Sequence, residues 1–140
     1  MLLLTNDKMN YNDLKNFAMR DLTIGDYLDK EAKDLPRKKA QWSEWLSVLA
    51  IECKKKELQL NRVMKERFEY FFLDYNVKLD KKEIREIYLP GDEQIQAAQK
   101  EYILAKEKVE FAERTLKSLI GAGFDIRNVI EYRKLLSGIL

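Results

Sequence analysis

Between residues 92 and 120 the apolar side chains recur at alternating spacings of three and four. Ile95, Ala98, Tyr102, Ala105, Val109, Ala112, Leu116 and Leu119 form one seam, large residues on one set of positions and mostly alanine on the other. This is the pattern of a helix packed lengthwise against another helix, and alanine lets the two backbones approach closely. The pattern predicts a helix over 92–120 that stops at Gly121-Ala122-Gly123. A last helix is then expected with Asp125 as its cap and Phe124 and Val129 as its staple, ending near Ser137-Gly138.

The N-terminal half reads as helical too. Leu14, Phe17 and Ala18 share one side of a short helix over 12–21, capped by Asn10 or Asn12. Gly25 interrupts, and Asp26 to Leu35 forms a second short helix. Pro36 resets the chain, with Asp34 as N-cap of a long helix over 36–75 that contains no Gly and no further Pro. In the connector 76–91, Asp80 and Glu83 have capping-box spacing for a brief helix through Tyr88, and Pro90-Gly91 makes a turn. No segment alternates with period two, so no strand is expected.

The expected fold is therefore all-α and a single domain. Two long helices, about 36–75 and 92–120, form an αα-hairpin or coiled-coil core, with short helices at both ends. Ile103, Leu104, Phe111 and Ile120 lie outside the seam and imply a second buried face. That face, together with the eight seam residues, makes 92–140 the expected oligomerisation part. The seam itself could pair within the chain or with another subunit.

Laid out at ~100° per residue, helix 36–75 has one apolar stripe that includes Trp42, Trp45, Leu46, Leu49, Cys53, Leu60, Val63, Met64, Phe68, Phe71 and Tyr75. Lys54, Lys55, Arg62, Lys65 and Arg37 line the opposite side, diluted by Glu44, Glu66 and Glu69. The stretch KERFEYFF, residues 65–72, straddles both sides. Lys65 points with the cations, and Phe68 and Phe71 point to the core. Tyr70 and Phe72 fall on the flanks, where they could stack on bases. Arg67 and Lys56 fall inside the apolar stripe, where a long cation either snorkels or meets an anion.

Charge sharpens this picture. The whole chain carries a formal net charge of only +2. Yet residues 36–67 hold nine Lys and Arg against four Asp and Glu, a local excess of +5 that ends on the KERFEYFF motif. With no histidine, no phosphate-binding glycine loop and one cysteine, neither catalysis nor a metal site or other cofactor is expected. Cys53 cannot form an intramolecular disulfide and reads as a small buried apolar residue, which suits a reducing compartment. The run Met1 to Leu4 is far shorter than the roughly 20 apolar residues that span a bilayer, so a cytoplasmic protein is expected.

Four stretches in order carry a family resemblance: LPRKKAQWSEWL (35–46), KKKELQLNRVMKERFEYFF (54–72), YLPGDEQI (88–95) and GFDIRNVIEYRKLLSG (123–138). Their order and spacing resemble the UvsY family of phage recombination mediators from about residue 35 to the end, and more loosely over residues 13–34. The resemblance implies a non-enzymatic protein that binds single-stranded DNA. Such a protein helps a RecA-like recombinase replace a single-strand-binding protein on DNA during recombination, replication and repair in the host cytoplasm. It also implies a homo-oligomeric ring, a heptamer among the assemblies it allows, joined largely through the C-terminal part. The family's Lys-x-Arg motif is tied to DNA binding and carries over onto Lys65 and Arg67. The expected DNA contacts are thus Lys54, Lys55, Arg62, Lys65, Arg67, Tyr70 and Phe72. Two alternatives stay open: a coiled-coil scaffold or adaptor that binds no DNA, and a helicase-loading adaptor.

Overall fold

A computed structural model describes residues 9–23, 25 and 28–138. The element order is α1 (Tyr11–Leu22), α2 (Leu28–Glu69), a π-helical turn (Tyr70–Asp74), α3 (Lys81–Glu83), a second π-helical turn (Ile84–Tyr88) and α4 (Glu93–Leu136). No strand occurs among the described residues. The expected all-α fold, with long helices at its core, is the one observed.

Asn10 caps α1, its side chain accepting the Asp13 N–H at 2.8 Å. The second helix overrides its local signals. It starts at Leu28 and passes through Pro36 without a break, so Asp34 lies inside it and caps nothing. The expected start at Asp26 falls outside the described residues. An interior proline costs a helix about 3 kcal/mol. The contacts around Pro36 offset that cost. Leu35 is buried, and Lys38 Nζ donates to the Asp21 carbonyl at 2.9 Å and to Glu31 at 3.4 Å.

The fourth helix behaves likewise. It runs through Gly121-Ala122-Gly123, so Asp125 is not a cap and no separate last helix forms. A Cβ built on Gly123 would stand 2.9 Å from Leu35 Cδ2, whereas one on Gly121 would meet nothing within 4 Å. Gly123 therefore serves close approach of α4 to α2 rather than helix termination. The helix ends where expected, with Gly138 at φ +71 and its N–H donated to the Leu135 carbonyl at 3.2 Å.

The chain divides into two compact units, Met1–Leu49 with Lys108–Leu140, and Ala50–Glu107. In the first, Trp42, Leu14, Ala112 and Leu119 are fully or nearly fully buried, with Met9, Ala18, Leu35, Trp45 and Leu49 around them. Trp42 and Trp45 meet edge to face at 5.0 Å, and the Trp42 indole N–H donates to the buried Asp21 at 2.9 Å. That bond answers the need of a buried indole N–H for an acceptor. Phe111 packs here, 5.4 Å from Tyr11 and 6.4 Å from Trp42, so it belongs to this core and not to a separate outer face. In the same unit Leu35 meets Gly123 and Trp42 meets Phe111, so α2 and α4 run antiparallel there.

The second unit pairs the same two helices antiparallel, through Lys56 with Glu101 at 3.1 Å and Arg67 with Asp92 at 2.8 Å. Its core is Phe71, Leu79 and Ile84, with Phe68, Tyr75, Tyr88 and Leu89 partly buried against it. The seam residues are all buried or half-buried within one chain; Ile95, Ala98, Ala105, Ala112 and Leu119 are the deepest. Ile103, Leu104 and Ile120, by contrast, are exposed. Met64 is exposed and Cys53 half-buried, so the apolar stripe of α2 is narrower than its sequence suggests.

Candidate nucleic-acid interface

The candidate surface lies in the second unit, where α2 ends. Lys54, Lys55, Arg62 and Lys65 are all exposed, as the helical layout predicts. Lys54 pairs with Glu57 at 3.5 Å and Arg62 with Glu66 at 3.9 Å, both between neighbouring turns of the helix. Such exposed pairs are worth about 0–1 kcal/mol, little enough for a phosphate to displace the carboxylate. Lys55 and Lys65 have no ion-pair partner among the described residues. The stripe is not purely basic. Ile51 and Leu58 are exposed within it, and 51, 55, 58, 62 and 65 follow one another at spacings of four and three.

Arg67 and Lys56, placed by sequence inside the apolar stripe, are indeed half-buried; Lys56 meets Glu101 of α4, and Arg67 meets Asp92 just before α4. The Arg67 guanidinium donates to Asp92 and stands over two rings, 4.4 Å from Tyr70 and 5.2 Å from Phe71. Asp92 is buried and also caps α4, accepting the Ile95 N–H at 3.0 Å.

The aromatic run divides as expected: Phe71 is buried, Phe68 half-buried, and Tyr70 and Phe72 exposed. The π-helical turn helps to set this division, because one extra residue per turn shifts the faces relative to the α-helix before it. Phe71 packs among Tyr75 and Tyr88 at 5.4 and 5.3 Å, which closes the turn onto the second π-helical turn. Phe72 lies nearly parallel to Phe68, 6.1 Å away and 16° off.

Two cations reach this aromatic pair from the connector. Lys81 Nζ is 5.6 Å from the Phe72 ring centre, and Arg85 Cζ is 5.8 Å from that of Phe68. Sequence reading gave neither a place here. The cap expected from DKKE is present, Asp80 accepting the Glu83 N–H at 2.8 Å. The signal available was the run of cations Lys78, Lys81, Lys82 and Arg85. Asp80 also raises the Glu83 carboxyl above its ordinary value of 4.5, first by charge repulsion.

No group of acidic, Cys or His side chains suited to a metal ion occurs among the described residues, and no helix among them is long and apolar enough to cross a membrane.

No curated protein matches the chain. A crystal structure of the bacteriophage T4 recombination mediator protein UvsY is similar in fold, with a TM-score of 0.83 at 19% identity, over 92% of this chain and 98% of that one. The family model described as "Recombination, repair and ssDNA binding protein UvsY" matches residues 17–139. With that match spanning most of its length, the chain belongs to the UvsY family of recombination, repair and single-stranded-DNA-binding proteins.

Proposed function

We propose that this protein is a recombination mediator that binds single-stranded DNA along the exposed face of α2 and promotes loading of a RecA-like recombinase onto DNA covered by single-strand-binding protein. The observation that carries this reading is the row of exposed cations Lys54, Lys55, Arg62 and Lys65 leading to the exposed rings of Tyr70 and Phe72, in a chain of this family. The cations take phosphates and the rings take bases, a combination tolerant of sequence. Arg67, already held by Asp92, positions the Tyr70 ring and contributes positive charge at the same edge. The protein acts without catalysis of its own. Its exposed C-terminal apolar residues, among them Phe124, Tyr132, Leu135 and Leu136, support a homo-oligomer joined through α4.

The test is recombinase filament assembly on single strands precoated with single-strand-binding protein. Adding this protein should shorten the lag, and Lys65→Ala should restore much of the lag while light scattering reports an unchanged mass. An unshortened lag with the wild-type protein contradicts the reading.

A second reading rests on Ile51 and Leu58. Exposed aliphatics at heptad spacing between cations also suit an acidic amphipathic helix, as an adaptor would need. An adaptor of that kind would show no affinity for labelled single-stranded DNA.

A further inference from the structure

The connector contributes something that the α2 stripe does not explain. Phe72 is 45% exposed although the chain has a core beside it, and it lies almost parallel to Phe68. Lys81 of α3 stands over the Phe72 ring, and Arg85 of the second π-helical turn stands over that of Phe68. Neither cation has a carboxylate partner among the described residues. Among the acids close in sequence, Asp80 and Glu83 interact with each other, and Glu86, next to Arg85, makes no ion pair with it. Two unpaired cations beside a wet aromatic pair have the components to bind a flat ring attached to an anion.

We infer that Phe72, Lys81 and Arg85 form a second contact for single-stranded DNA, in which an unpaired base stacks on Phe72 and the phosphates flanking it meet Lys81 and Arg85. The inference rests on the DNA-binding reading above and extends it from α2 to the connector. A single strand is favoured over a duplex because only an unpaired base can offer its face to Phe72, since duplex bases are stacked on their neighbours. The guanidinium of Arg85 suits this role, being planar and able to stack as well as to bind phosphate. Phe72 lies seven residues beyond Lys65, so the patch would continue the cation row by roughly two helical turns, ~10 Å along the axis. The contact would hold the strand where α2 gives way to the connector and so give the DNA a defined end point on the subunit.

The experiment is an anisotropy titration of the full chain with labelled oligo-dT and with a duplex of equal length, at several salt concentrations. Phe72→Ala should weaken oligo-dT binding by about 5- to 150-fold, the range expected for one stacked base, and leave the salt slope unchanged. The double variant Lys81→Gln, Arg85→Gln should flatten the log–log salt slope by about 1.4, two phosphates at ~0.7 each on a single strand. Phe72→Trp should keep affinity, with the added indole emission quenched by oligo-dT. All three side chains are exposed, so the variants should melt like the wild type by circular dichroism. Wild-type affinity and slope in Phe72→Ala and the double variant would overturn this contact while leaving DNA binding by the α2 row intact. An unchanged Phe72→Ala affinity alone would overturn the stacked base. Absence of any oligo-dT binding by the wild type would overturn the parent reading as well.

Discussion

One carboxylate oxygen of Asp92 accepts the Arg67 Nε–H at 2.8 Å, while the other caps α4 through the Ile95 N–H at 3.0 Å. Asp92 is nearly fully buried, with a side chain 6% exposed, and Arg67 is 21% exposed. The pair thus ties the end of α2 to the start of α4 and holds the guanidinium over Tyr70. The arginine of the KERFEYFF motif is first a structural clamp on the candidate interface.

Removing Arg67 would leave a buried carboxylate without its partner, and the loss in such cases is several kcal/mol. Arg67→Ala should destabilise the fold by about 2–4 kcal/mol, discounted for partial exposure. Asp92→Ala should cost a similar amount, including ~1 kcal/mol for the lost cap. In urea melts the double variant should cost less than the two single costs combined, by about 0.5–3 kcal/mol. Strict additivity would mean that the pair contributes no coupling. Arg67→Lys should not restore the wild-type value, because an ammonium lacks the planar stack on Tyr70 and Phe71.

The two glycines of α4 separate helix propensity from packing. Gly121 has open space around its Cβ position, so Gly121→Ala should stabilise by up to about 1 kcal/mol. The added Cβ of Gly123→Ala would press on Leu35 at 2.9 Å, so its gain should be smaller or reversed. Thermal melts of the two variants should differ in that order. Equal stabilisation would show that Leu35 yields freely and that Gly123 is not needed for close approach.

What was legible in the sequence, and what was not, follows from the range of the forces involved. The seam from Ile95 to Leu119 was readable because helical periodicity reports burial directly. The cation face was readable for the same reason, as was the awkward placement of Arg67. Pro36 and Gly121-Ala122-Gly123 misled because local propensities of about 1–3 kcal/mol were overridden by contacts between distant residues, Leu35 with Gly123 among them. The positions of Lys81 and Arg85 depend on the connector folding back onto the π-helical turn, which no periodicity encodes. The sequence points Phe111 to an outer face because nothing in its pattern shows that α1 covers it through Tyr11.

Glu83 gives a dependence on pH. Its carboxyl binds a proton more tightly in the folded chain than in the unfolded one, chiefly through repulsion from Asp80. Its contribution to stability is therefore greatest when it is protonated and falls as pH rises through the ordinary glutamate value and the raised one above it. Glu83→Gln, which keeps the backbone N–H that Asp80 accepts, should raise the melting temperature slightly near pH 7 and leave it unchanged near pH 3. An equal rise at both values would point to a cause other than charge.

Single-stranded DNA meeting a row of cations on α2 is the central element of the proposed function. Its most direct test is the affinity for a labelled single strand, measured by anisotropy across a series of salt concentrations. Four phosphates taken by Lys54, Lys55, Arg62 and Lys65 predict a log–log slope of about −2.8, at ~0.7 for each, and a steeper one if Lys81 and Arg85 join. Lys65→Ala should flatten the slope by about 0.7. Binding that ignores salt, or no binding at all, would contradict the account.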